Sequence, residues 1–150
     1  DELLGYQAAE LRAEVELVKG ASHGFDKDAY LASVPMGRWG KPDEVRTFPK
    51  GRIELVKIGG ATIGRAIFEP GWRWSTSVQP LAKTKSCEAP HFQYHISGTL
   101  RILMDDGTEF DCRPGDVSLL PSGHDAWVVG NEPAVAIDFR GGAVYAKPQG

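Results

Sequence analysis

Glycine and proline cut most of this chain into short pieces. From about Glu44 onward the apolar runs are brief and each ends in a turn signal. EVRTF and RIELVKI read as strands, and Gly59-Gly60 reads as a hairpin turn before ATIGRAIF (61–68). Pro70-Gly71 turns the chain again. HFQYHI (91–96) is followed by Gly98 and LRILM (100–104), and Asp106-Gly107 is a two-residue hairpin signal leading into TEFDC. Pro114-Gly115 precedes VSLL, Pro121 and Gly123 precede AWVV, and AVAIDF (134–139) forms the last run. Many short strands with such punctuation predict an all-β sandwich or barrel.

The first part of the chain reads differently. Leu4, Ala8, Leu11, Val15 and Val18 form a helical stripe, and Gly20 is a C-terminal stop for it. Asp26 is placed to cap a second short helix, KDAYLA (27–32). VPMGRWGKPDE (34–44) then reads as a linker. The expected organisation is therefore a helical extension over 1–35 and an all-β domain over 36–150.

Composition excludes several function classes. The net charge is −3 and basic residues do not cluster, so no nucleic-acid partner is expected. No apolar run approaches the roughly 18 residues that span a bilayer, so no membrane partner is expected either. No signal peptide is visible; a soluble chain is expected, exported only if its substrate is a polymer outside the cell. Two cysteines, Cys87 and Cys112, permit one internal bridge.

Three of the four histidines carry the chemistry. His91, His95 and His124 lie close together in the sequence. In a strand, alternate side chains point the same way, so His91, Gln93 and His95 share one face. His124, from a neighbouring strand end, closes a three-imidazole metal site. Gln93 is a weaker ligand or a group that orients bound water. Cys87 reads as a small buried hydrophobe, with a ligand role as the alternative. Asp125 reads equally as a carboxylate partner of His124 or as a turn residue. Imidazoles without a carboxylate suit copper, iron, nickel or zinc and not magnesium or calcium. One mononuclear transition metal is expected, copper first by the usual affinity order, with iron or zinc as alternatives. Trp72, Trp74 and Trp127 are candidate sugar-stacking residues, with core or interface packing as the equal alternative.

FEPGW (68–72), HFQYHISGTLRILMDDGTE (91–109), RPGDVSLLPSGHDAWVV (113–129) and AIDF (136–139) together resemble the cupin superfamily. The resemblance implies a jelly-roll barrel. Gly98 fits the closing glycine of the family's first motif, and Gly115, Pro121 and Gly123 fit the second. The ligand positions depart from the family pattern. His91 stands where the usual glutamate sits, Lys85 and Cys87 where the usual histidine pair sits, and Ala126 where the last histidine sits. Size and ligand types are similar to small copper cupins that oxidatively cleave cellulose. That likeness implies a redox metal activating O2 or peroxide, a carbohydrate or small-molecule substrate, and exposed tryptophans that carry the glucan. The alternatives are a three-histidine iron dioxygenase acting on a small molecule and a non-catalytic ligand-binding or sensor cupin. Family resemblance also implies a homodimer paired through its sheets. Separately, LRAEVELVKGASHGFDKDAYLA (11–32) looks like a fragment of the class II peptide-chain release-factor GTPase, without any of its phosphate-binding motifs.

Overall fold

A computed structural model describes residues 26–147. The stripe from Leu4 to Val18, and most of the segment resembling a release factor, lie outside the described residues. Contacts divide the chain between Pro35 and Met36. In the first unit, helix α1 (Lys27–Ser33) begins at Asp26, whose Oδ1 accepts hydrogen bonds at 3.0 Å from the N–H groups of Asp28 and Ala29. This is the cap expected from the sequence. It answers two of the N–H groups that a helix start leaves without partners.

Among its described residues the second unit is an all-β jelly roll of nine strands. These are β1 (Glu44–Phe48), β2 (Gly51–Ile58), β3 (Ala61–Phe68), β4 (His91–Ser97), β5 (Thr99–Met104), β6 (Glu109–Cys112), β7 (Val117–Leu120), β8 (His124–Val129) and β9 (Ala134–Asp138). One sheet has the order β1-β2-β3-β9-β4-β7 and the other β6-β5-β8, with every pairing antiparallel. The turn signals sit where strand pairing requires them. Gly59 and Gly60 both have positive φ and join the paired residues Ile58 and Ala61. That is the backbone a two-residue hairpin with right-handed strand twist demands. The stretch from Trp72 to Pro90, which lacks a clear period, contains two single-turn helices, α2 (Trp74–Ser77) and α3 (Gln79–Ala82). Among the described residues no helix is long and apolar enough to cross a membrane.

Side chains from both sheets meet in one core. Ile53, Leu55 and Phe68 from the larger sheet pack with Leu100, Ile102 and Val128 from the smaller. Alternation is strict on the strands that matter for the site. On β4, His91, Gln93 and His95 are buried while Phe92, Tyr94 and Ile96 are exposed. On β8, His124, Ala126 and Val128 point inward, and on β9 so do Ala134, Ala136 and Asp138. Cys87 and Cys112 are both buried and unbridged.

Two positions test this account. Gly98, between β4 and β5, has φ +65°, and a Cβ there would strike the carbonyl of Pro133 and the Cα of Ala134. Gly98→Ala should lower the free energy of unfolding by about 2 kcal/mol or more, read from urea denaturation. On the outer face, Glu54 of β2 is opposite Arg65 of β3 and bonds both Arg65 and Arg52. Burial alone would raise its carboxyl pKa; the two guanidinium partners outweigh that and hold it below its ordinary 4.5. A depressed value in the folded state means stability that is present above 4.5 and lost as pH falls through the folded value. Glu54→Gln should therefore destabilise the protein at neutral pH and flatten the acid limb of its stability curve. An unchanged acid limb would contradict the pairing.

Candidate metal centre

Strand period and sheet order bring three ligand-type side chains to one point. His91 opens β4 in the larger sheet, and His124 opens β8 in the smaller, so the two face each other across the sandwich. Their rings lie 5.5 Å apart between centroids, edge to face. Cys87 precedes β4 but is bonded to the start of β8. Its N–H donates to the His124 carbonyl at 2.8 Å, and its carbonyl accepts from Gly123 N–H at 2.7 Å. Among the described residues, Cys87, His91 and His124 form the one group of three such side chains whose ligand atoms all lie within 4.8 Å of one another. All three are buried.

The second nitrogen of each ring is already engaged. His91 Nδ1 donates to Asp138 Oδ2 at 2.5 Å, and His124 Nδ1 donates to the Pro121 carbonyl at 2.8 Å. Each ring therefore presents Nε2, and His91 Nε2 lies 3.5 Å from Cys87 Sγ. A carboxylate or carbonyl behind a ligand histidine fixes its tautomer and orientation, which is the usual arrangement at a metal. Asp138 is held in turn. Its Oδ1 accepts from the N–H groups of Arg140 and Gly141 at 2.9 and 2.8 Å, and Gln93 Nε2 reaches Oδ2 at 3.5 Å.

These partners set the protonation states. Burial alone would push the Cys87 thiol up, but hydrogen bonds from His124 and His91 outweigh it and bring the group down to about 6. Burial alone would push His91 down, but Asp138 and Cys87 outweigh it and hold it at about 9. The thiolate is the form that binds a metal, and His91, protonated at neutral pH, must release its Nε2 proton to join it. Tyr145, whose ring lies 5.3 Å from that of His91, keeps its proton because burial and the charges of Cys87, Asp138 and Asp125 push its pKa well up.

His91 and His124 border an interior cavity of ≈ 20 Å³. A cavity needs about 10–15 Å³ to hold one water, so this one admits a water or an ion and no organic molecule. Among the described residues, two buried side-chain polar atoms have no partner, Trp72 Nε1 and Tyr145 Oη, and both residues line this cavity. Orphaned donors beside empty space are a direct sign of a missing acceptor. The donor set and Trp72 Nε1, which borders this cavity alone, fit a metal with one small additional ligand.

The sequence-predicted ligands are thus divided. His91 and His124 come together, and Gln93 stands behind Asp138 beside the same cavity. His95 shares the inner face but not the group: its Nε2 lies 2.9 Å from Ser118 Oγ on β7, and burial lowers its pKa. Four residues along a strand span about 13 Å, too far for two imidazoles to reach one ion. Cys87 takes the third place, at a position where the cupin pattern carries a histidine. Asp138 is the residue that sequence reasoning missed. Its signal was phase: it follows Ala134 and Ala136 on the inward face of the last strand, where a carboxylate requires a partner. The tryptophans do not form an exposed face. Trp72 and Trp74 are each 2% exposed, and Trp127 is half-buried under the Arg73 guanidinium, 4.4 Å from its ring centre. Asp125 bonds Arg73 and Ser75.

No family model matches the chain. Solved structures share its fold at low identity. A protein of unknown function (DUF1255) from Acidithiobacillus ferrooxidans is 17% identical, with TM-score 0.50 over 76% of this chain and 97% of that one. Cupin proteins are also among the structural neighbours. A cupin-like protein from Thermotoga maritima is 15% identical, with TM-score 0.44 over 75% of this chain and 86% of that one. Oxalate decarboxylase from Bacillus subtilis is 20% identical, with TM-score 0.46 over 69% of this chain and 29% of that one.

The packing around Asp138 gives a direct test. A Cβ on Gly141 would collide with His91 Nδ1 and the Pro90 carbonyl and approach Asp138 Oδ2 to 2.9 Å. Gly141→Ala should cost about 1–3 kcal/mol of stability and shift the His91 ring resonances. Unchanged His91 resonances would show that the glycine is not what admits the imidazole.

Proposed function

We propose that this chain is a cupin-type metalloprotein whose single transition-metal ion is held by Cys87, His91 and His124, and that it catalyses oxidation of a small molecule with O2 or peroxide as the electron acceptor. The observation that carries this reading is the convergence of three buried donors, each imidazole oriented from behind. One thiolate and two imidazoles suit copper, zinc or iron, and a site with two histidines and one cysteine is a set that copper favours. Three protein ligands leave a coordination position open, which distinguishes reactive sites from closed structural ones. When bound, copper or iron supplies a one-electron couple that no side chain here has. The protein's own part is to fix the donors through Asp138 and Pro121, to shield them with the surrounding core, and to offer Trp72 Nε1 as a hydrogen-bond donor to a water-sized acceptor in the cavity. Trp72 and Trp74 do not carry a cellulose chain, because both lie inside.

A homodimer is proposed through the outer face of the larger sheet. Phe92 and Tyr94 on β4, Val117 and Leu119 on the edge strand β7, and Phe139 beside Phe92 form an exposed apolar patch. Such a patch on an edge strand favours self-association. Leu119→Lys should convert a dimer to a monomer in light scattering with metal content unchanged.

The metal reading is tested by loading purified protein with Co(II) and Cu(II). A thiolate-to-metal charge-transfer band is expected, with one ion bound per chain. Cys87→Ser should abolish the band. His124→Ala should lower affinity at least as much as the roughly 10–100-fold typical of losing a group behind a ligand, and Asp138→Asn should fall within that range. His95→Ala should leave affinity unchanged, since His95 faces Ser118. Full affinity without Cys87 and His124 would overturn the assignment.

A further inference from the structure

Outside the cavity, on the other side of the same cluster, lies a second space of ≈ 200 Å³. Its walls come from α2 and α3, the segment 84–89 and the turn at 144–147. The two spaces share two walls, Trp74 and Tyr145, and divide the three donors between them. His91 and His124 line the inner cavity, and Cys87 lines the outer cleft. The cluster therefore stands in a partition, with His91 and His124 bordering a space for one water and Cys87 bordering a space ten times larger.

We infer that this outer cleft is the organic-ligand site of the protein, and that it takes a single-ring aromatic molecule with one hydroxyl-type substituent, seated against Cys87. Size argues for the ring. A cavity of about 150 Å³ accommodates benzene, so this cleft encloses a ring and a few further atoms. Wall chemistry argues for its character. Ala82, Ala89 and Val144 offer apolar surface, with Trp74 and Val78 buried behind it. Thr84 Oγ1 donates its proton to the Ser86 carbonyl at 2.7 Å and keeps lone pairs that can accept. Tyr145, 5% exposed, has a hydroxyl with no partner that can donate. A group that both donates and accepts, as a hydroxyl does, answers both. Glu88 and Lys147 at the exposed rim carry opposite charges, so neither an anion nor a cation is favoured overall.

That the bound molecule is the substrate rests on the metal reading above; that the cleft binds it does not. The probe is 4-fluorophenol, followed by fluorine NMR. Metal-free protein should give saturable one-site broadening and shift of the fluorine line. Val144→Trp, at a cleft position that is 57% exposed and so places little demand on folding, should weaken binding at least tenfold, and so should Ala82→Phe. Tyr145→Phe should weaken it severalfold while leaving the fold intact. With Co(II) bound, the fluorine line of the bound probe should broaden much further, because Cys87 forms part of the cleft wall. Absence of binding to the metal-free wild type would overturn the inference, as would binding indifferent to Val144→Trp and Ala82→Phe. Binding without added broadening in protein shown to hold Co(II) would overturn the placement against Cys87. Failure of the protein to take up Co(II) would sink the metal reading instead, with the metal-free titration still deciding the cleft.

Discussion

The hydrogen bond from His91 to Asp138 is the contact on which the interior of this protein depends. Asp138 is 1% exposed. A carboxylate so buried costs several kcal/mol unless charge and hydrogen bonds answer it. Here four donors do: the His91 ring, the Gln93 amide and the N–H groups of Arg140 and Gly141. The last two bend the chain as it leaves β9. The Gly141 carbonyl then accepts from the N–H groups of Val144 and Tyr145, which starts the turn that ends the described chain. That turn brings the Tyr145 ring against His91 and Phe48, and Arg46 of β1 fastens it by bonding the carbonyls of Gly142, Ala143 and Tyr145. One carboxylate thus orients a ligand-type histidine, shapes the C-terminal turn and positions the partition between the two spaces.

The jelly roll makes this arrangement possible by supplying donors from both sheets. β4 and β9 are neighbours in the larger sheet, so His91 and Asp138 can meet within it. β8 belongs to the smaller sheet, so His124 approaches from across the sandwich. Cys87 belongs to neither, and its two backbone bonds to Gly123 and His124 fix it where a strand would. Around these residues lie Phe68, Trp72, Leu100, Ile102 and Leu120, which keep the local dielectric low. In such surroundings a hydrogen bond to a charged group is stronger, and an unpaired polar group is costlier, than at the surface.

Most of the fold was legible in the sequence because turn chemistry is local. Gly59, Gly60, Gly98 and Gly107 carry positive φ, and each announces its turn without help from distant residues. The inward face of β4 was legible too, since alternation is a local rule. The site was only half legible, because alternation gives direction and not distance. His91 and His95 point the same way yet stand about four strand residues, or some 13 Å, apart. Cys87 lies in a stretch with no period, and its placement depends on pairing with β8, which is a long-range contact. The tryptophans were ambiguous for the same reason. Their large rings suit either a core or a sugar surface, and only tertiary packing places Trp72 4.0 Å from the Phe68 ring.

Exchanging a third imidazole for the Cys87 thiolate changes the charge of the centre as well as its geometry. Three neutral imidazoles would leave a divalent ion balanced only by the carboxylate of Asp138. With Cys87 as a ligand, one thiolate and one carboxylate together match the ion's two positive charges inside the core. Charge balance weighs heavily there, since an uncompensated ion in a low-dielectric interior is costly and a neutral assembly is far less so. The departure of this chain from the histidine-rich pattern it resembles is therefore chemically coherent. His91 stands where the pattern has its carboxylate, a carboxylate from the last strand, Asp138, stands behind that imidazole, and the negative charge at the donor cluster comes from sulfur.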